Sequence, residues 1–289
     1  MTTTTTRTAV PADRPVPPLP RGRTARLGAS RIAYEVKVYF RAGDTVFFTF
    51  LFPVVMLAIF SVAFSNLHQF AGSGPNAVTA AAYYLPGMIA SGILLSGVQN
   101  LAVDIANEKS DGTLKRLGGS PLPVLSYFTG KIGQVFVTSL AQIALLLLVA
   151  HFAFNVALPT DPSKWLTFAW IYVIGIVTSA TLGIALSALP RTGKSATAVI
   201  IPITLILQFI SGVYLSFTAL PTWLQNVASI FPLKWIAQGM RSVFLPESFA
   251  AAEPGGTWNL GGVLVALLIW LVVGVIVSRM TFRWIRKDR

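Results

Sequence analysis

Six stretches of this chain are long and apolar enough to cross a bilayer, at about 45–66, 82–103, 128–152, 166–189, 196–217 and 258–279. A hydrocarbon core of about 30 Å takes roughly 20 helical residues. Inside it a free N–H or C=O finds no partner, so segments of this length can only be helices. The expectation is an all-α integral membrane protein with six transmembrane helices. Composition agrees: only 11% of the residues are charged, against about 25% in soluble proteins.

The distribution of charge sets the topology. Of the 22 Lys and Arg residues, nineteen fall on the side that carries the chain's two ends, loop 2 (between spans 2 and 3) and loop 4 (between spans 4 and 5). The other side holds three, Lys164, Lys234 and Arg241. Basic loops stay in the cytoplasm, so a multi-pass cell-membrane protein with both termini cytoplasmic is expected. The net charge of +12 is then a topology signal, and no nucleic-acid partner is expected. Residues 1–26, rich in Thr, Pro and Arg, bury too little to offset their ordering entropy and are expected to form a disordered cytoplasmic tail. The transmembrane domain is expected over 27–289. The first apolar run begins near Thr45 and is too long for a signal-peptide core. Before it, Ile32, Val36, Tyr39 and Phe40 recur at helical spacing. They predict an amphipathic helix along the membrane surface or an amphipathic extension of the first span.

The middles of the spans contain no Asp, Glu, Lys, Arg or His, which removes the usual basis of proton coupling. No nucleophile with a base, acid pair or ligand cluster stands at membrane depth, so no catalytic residue is assigned. Cysteine is absent and only His68 and His151 are present; no metal site is expected. The Gly-Lys-Ser of ALPRTGKS (188–195) echoes a phosphate-binding loop, but Ala188 stands where that loop needs glycine, and the segment joins two spans. The chain is expected to bind no cofactor of its own.

Small and polar residues inside the spans leave alternatives open. Gly175, Ser179, Gly183 and Ser187 form a stripe at four-residue spacing that lets a helix approach closely, within the subunit or across a dimer. Gln99 and Gln208 bond to neighbouring helices or line a substrate path. Phe48 and Phe52 face lipid or a greasy cargo. After the fifth span, helical patterns following Pro221 and Pro232 predict a re-entrant hairpin or two surface helices on the outer side.

Loop 2 reads NEKSDGTLKRLGGSPLP over 107–123. Leu114 and Leu117 define one face of a short helix, and Gly118, Gly119, Pro121 and Pro123 end it. Glu108-Lys109-x-Asp111-Gly112-Thr113-Leu114, then Leu117, Ser120-Pro121 and Lys131, resembles the ABC-2 type permeases, the membrane subunits of exporters such as the daunorubicin-resistance and multidrug permeases. Pro221, Trp223-Leu224, Pro232-Leu233 and Arg241 add to the likeness, which covers about 28–289. One departure is Gly118-Gly119, where the family has a basic or bulkier residue.

The resemblance implies that loop 2 forms a coupling helix docked on a separate cytoplasmic ABC ATPase, which carries the ATP and Mg. Carried over, Glu108, Lys109, Asp111, Gly112, Thr113, Leu114 and Leu117 make that contact, with Arg191 and Lys194 beside them. It further implies a second permease chain, identical or related, and export of a hydrophobic or amphiphilic compound by ATPase-driven alternating access. The alternatives are a lipid or glycan exporter of the same architecture and a membrane anchor or signalling subunit that moves nothing.

Overall fold

The computed structural model describes residues 21–65, 78–120 and 122–282. Most of the expected tail, His68, Pro121 and the basic residues from Arg283 onward lie outside that range. Among the described residues the chain is all helical, without strands. The helices are α1 (Arg21–Arg41), α2 (Gly43–Ala63), α3 (Ala80–Leu94), α4 (Leu101–Ser110), α5 (Thr113–Gly118), α6 (Val124–Phe154), α7 (Pro162–Leu186), α8 (Gly193–Ile210), α9 (Thr222–Ala228), α10 (Pro232–Phe244) and α11 (Leu260–Thr281). Six are long and apolar enough to span a membrane, the second being α3 and α4 joined through a π-helical turn at Leu95–Asn100. Helix α1 begins at Arg21, so residues 21–26 are helical.

Helix α3 is the centre of the bundle. Tyr84 through Leu94 are all buried, and α2, α6, α7 and α10 pack around it. By contrast α2, α8 and α11 turn apolar side chains such as Phe47, Ile206, Ile269 and Met280 to the outside, as helices bordered by lipid do. Helix α6 has 31 residues, or about 46 Å of helix, well beyond a ~30 Å core. Its first two turns therefore extend into the loop-2 end of the molecule.

The fifth span differs from expectation. Helix α8 stops at Ile210, well short of 217, although Val213, Tyr214 and Leu215 continue the apolar run. Gly212 takes a left-handed φ of 76°, which ends the helix. The backbone at Val213 then packs on Gly87 of α3, and Tyr214 Oη donates to Gln208 Oε1 at 2.5 Å. Hydropathy does not register that turn.

Helices α9 and α10 follow their prolines as the sequence predicts. Helix α10 packs against α3, α7 and α11 and is buried along most of its length. Arg241 ion-pairs with Glu253 and donates to the Gly212 carbonyl at 3.2 Å, pinning this end together. His151 bonds the Val156 carbonyl at 3.0 Å, a local tie at the end of α6.

The small-residue stripe of α7 packs inside the subunit. Gly183 lies against the Gly97 carbonyl of the π turn, and Ser179 against Gly97 itself. A Cβ on Gly183 would overlap that carbonyl. Gly183→Ala is expected to destabilise the detergent-purified protein by about 1–3 kcal/mol. Gly261→Ala, where a Cβ meets nothing within 4 Å, serves as the neutral control; equal thermal unfolding of the two variants would refute the close contact.

Candidate functional site

Three helices each bring an i,i+4 pair to one point at the loop-2 end: Arg31 and Glu35 on α1, Asp104 and Glu108 on α4, Tyr127 and Lys131 on α6. Residues four apart share a helix face, so each pair is local and only their meeting is tertiary. Lys131 is 1% exposed. Its Nζ donates to Glu35 Oε2 at 3.0 Å, Asp104 Oδ2 at 2.5 Å and Glu108 Oε1 at 2.7 Å. Tyr127 Oη donates to Glu108 Oε2 at 2.6 Å, and Arg31 pairs with Glu35 at 2.5 Å. The three carboxylates offer oxygens within 4.8 Å of one another, close enough for a metal ion. The Lys131 ammonium already supplies the cation they need.

The cluster joins α1 to the transmembrane bundle. Glu35 is buried, and Arg31 and Ile32 lie over Gly130 and Gly133 of α6. One long face of this amphipathic helix therefore packs on protein.

Loop 2 hangs from α4. Asp111 and Gly112 form the turn, Gly112 with φ of 80°, and Asp111 Oδ1 accepts from Thr113 N at 2.8 Å to start α5. Leu114 is buried in the core and Leu117 packs beside it, while Asp111, Lys115 and Arg116 are exposed. Glu108 points inward to Lys131 and Tyr127, and Lys109 is half-buried. Loop 4 lies alongside: Gly193 approaches Asn107 and Ser110 of α4, and Arg191 and Lys194 are exposed next to them. Thr192 and Ser195 cap α8 reciprocally, so the Gly-Lys-Ser opens a helix with its own capping box.

Next to the charge cluster lies a cavity of about 660 Å³, within the range of small-molecule sites. Helices α1, α2, α4, α6 and α8 and the π turn wall it. Phe48, Phe52, Gln99 and Gln208, singled out from sequence on three separate spans, all line it. The amides are held: Thr204 donates to Gln99 Oε1 at 2.6 Å, Asn100 Nδ2 to Thr49 at 3.0 Å, and Ser91 to Gln208 Oε1 at 2.5 Å. Sequence reading missed Thr49 and Ser96, which line this space only because of helix packing. Asp44, Asp104 and Glu35 line its loop-2 end. Two of those three therefore belong to the cavity and to the Lys131 cluster alike.

Comparison with known proteins decides the family. The family model described as ABC-2 family transporter protein matches residues 66–279.

The chain belongs to the ABC-2 transporter family. It is 22% identical over 178 residues to the "Probable multidrug ABC transporter permease YbhR" of Escherichia coli, covering 62% of this chain and 48% of that protein. It is 21% identical over 193 residues to the "Inner membrane transport permease YadH" of the same organism, 67% of this chain and 74% of YadH. It is 26% identical over 195 residues to the "Putative transport permease ycf38" of Porphyra purpurea, 64% and 67% of the two chains. The chain spans about half the length of YbhR. Its relatives are transport permeases, and ABC-2 permeases work with ATPase subunits in the membrane. The chain is thus a multi-pass membrane protein of that family.

Removing one partner of a buried ion cluster leaves uncompensated charge, at a cost of about 3–5 kcal/mol. Lys131→Met is accordingly expected to lower the yield of folded protein sharply and to loosen α1 from α6. Arg116→Ala, on the exposed face of α5, is expected to leave stability within about 0.5 kcal/mol. Size-exclusion yield and thermal unfolding in detergent check both, and a Lys131→Met variant as stable as wild type would show that the cluster does not hold these helices.

Proposed function

We propose that this ABC-2 permease is the membrane half of an ATP-driven exporter that binds a hydrophobic or amphiphilic compound in the α2–α4–α8 cavity and releases it on the far side. Both termini and loop 2 are cytoplasmic in this reading, as the basic loops favour. A separate ABC ATPase holds ATP and Mg, and a second permease chain, identical or related, completes the pathway against the exposed apolar faces of α2 and α8. The likeness to YbhR supports a drug- or antibiotic-like cargo, with a daunorubicin-resistance-like permease as the finer expectation.

The observation that carries the reading is that one helix end serves both jobs. Asp104 and Asn107 of α4 line the cavity, and α4 runs directly into the loop-2 turn and α5. The exposed Asp111, Lys115 and Arg116, with Arg191 and Lys194 from loop 4, make the ATPase contact. Glu108 and Leu114 act from inside, anchoring the docking helix to Lys131 and to the core. A push on α5 then moves the cavity wall through a short, packed path, and rigid-body rocking follows.

Co-expression with the host's ABC ATPase subunits, gentle solubilisation and identification of what stays bound test this. A stoichiometric ATPase is expected with wild type. It should be lost in a Lys115→Glu/Arg116→Glu variant whose thermal unfolding is unchanged, because both side chains are exposed and neither belongs to the buried cluster or caps α5. No ATPase with wild type would sink the exporter reading in favour of an anchor or signalling subunit. An ATPase retained by the double variant would move the docking contact away from α5.

A further inference from the structure

We infer that the cavity selects cationic amphiphiles, an assignment that rests on the reading of this cavity as the cargo site and adds the charge of the cargo to it. The charged residues lining the cavity are Glu35, Asp44 and Asp104; no lysine, arginine or histidine lines it among the described residues. That is the reverse of the surroundings, since basic residues dominate this side of a chain whose net charge is +12. Lys37 and Arg41, on the same helix as Glu35, are exposed and do not line the space.

The balancing charges do not cancel the rim. Behind the wall, Lys131 and Arg31 face Glu35, Asp104 and Glu108, which leaves one negative charge in that cluster. Asp44 is exposed, makes no ion pair among the described residues and adds a second. Asp104 is half exposed even while it accepts from Lys131. A low-dielectric cleft with one sign of charge on its walls concentrates the opposite ion.

The rest of the lining suits the remainder of such a molecule. Deeper in, Phe48, Phe52, Leu95, Ile201 and Leu205 present apolar and aromatic surface. Aromatic faces also attract organic cations. Gln99 Nε2 and Asn100 Oδ1 take no part in the bonds that hold these amides and are left to contact a guest. The wall therefore carries anionic groups at its loop-2 end, and amides and rings together beyond them. It matches a compound with a cationic group on an aromatic or aliphatic body.

Two rigid ions of nearly equal size and opposite charge, tetraphenylphosphonium and tetraphenylborate, test the inference. The full chain is placed in phosphatidylcholine nanodiscs, and binding is read by equilibrium dialysis against empty discs. Saturable phosphonium binding is expected, at least about tenfold tighter than borate binding, with each of Asp44→Asn and Asp104→Asn weakening it about five- to tenfold at low salt. Asp44→Asn keeps the test sound if Asp104→Asn disturbs the Lys131 cluster, since Asp44 stands outside it. Leu205→Trp, which fills the cavity, is expected to abolish binding of either ion. Borate binding as tight as phosphonium, or phosphonium binding unchanged in Asp44→Asn, overturns the charge assignment. If Leu205→Trp also removes that binding, the cavity still stands as the cargo site. Binding of neither ion, or phosphonium binding that survives Leu205→Trp, overturns the cavity reading and the charge assignment together.

Discussion

A lysine ammonium buried to 1% exposure is tolerable only if protein groups replace the water it has lost, and Lys131 obtains them from three carboxylates on two other helices. Burial of a single charge costs several kcal/mol before compensation. Helices α1 and α4 therefore cannot leave the base of α6 without exposing that cost. The loop-2 end is built around that charge: α6 provides the cation, α4 and α1 close on it, and Tyr127 donates to Glu108. Helix α5 then inherits a rigid platform. With Gly112 supplying the turn and Leu114 buried, its first turn is held in place.

The π turn at Leu95–Asn100 does the complementary work in the middle of the second span. A π-helical turn is wider than an α-helical one and rarely persists without function or support. Here the support is visible: Gly97 sits against Ser179 and Gly183 of α7, where small residues leave room for the wider backbone. Gly97 and Val98 are buried against α7, while Leu95, Ser96, Gln99 and Asn100 line the cavity. The stripe on α7 and the polar lining are thus two consequences of one packing event. Close helix approach on the back of the span sets which amides face the front.

Most of the fold could be read from hydropathy because a membrane leaves only one backbone solution for an apolar run. What escaped are the features that depend on where chain segments meet. The end of α8 depends on Gly212 turning while the sequence stays apolar. The charge cluster was present in the sequence as three i,i+4 pairs, but 27 and 96 residues separate Lys131 from its partners Asp104 and Glu35, and no pattern says that they converge. Glu108 came to the ATPase contact through the family resemblance, whereas its side chain turns inward to Lys131 and Tyr127. A lone lysine four residues inside the third apolar run was the one signal pointing inward. Phe48, Phe52, Gln99 and Gln208 were legible individually, whereas the acidic rim was not, since Glu35, Asp44 and Asp104 meet only through the packing of α1, α2 and α4.

Because Glu35 and Asp104 face both Lys131 and the cavity, a cationic guest and the lysine draw on the same two carboxylates. A guest at the rim weakens the hold of those groups on Lys131, and a tighter cluster leaves less negative charge for the guest. By linkage the two effects are equal in free energy. In the proposed exporter, occupancy of the cavity would therefore be felt at the joint between α1, α4 and α6, on which α5 rests. Meanwhile the opposite end is pinned independently by Arg241 and Glu253 and by Lys164, which donates to the Ser242 carbonyl at 2.8 Å and pairs with Glu247. A change at the loop-2 end would thus work against a far end that is separately fixed.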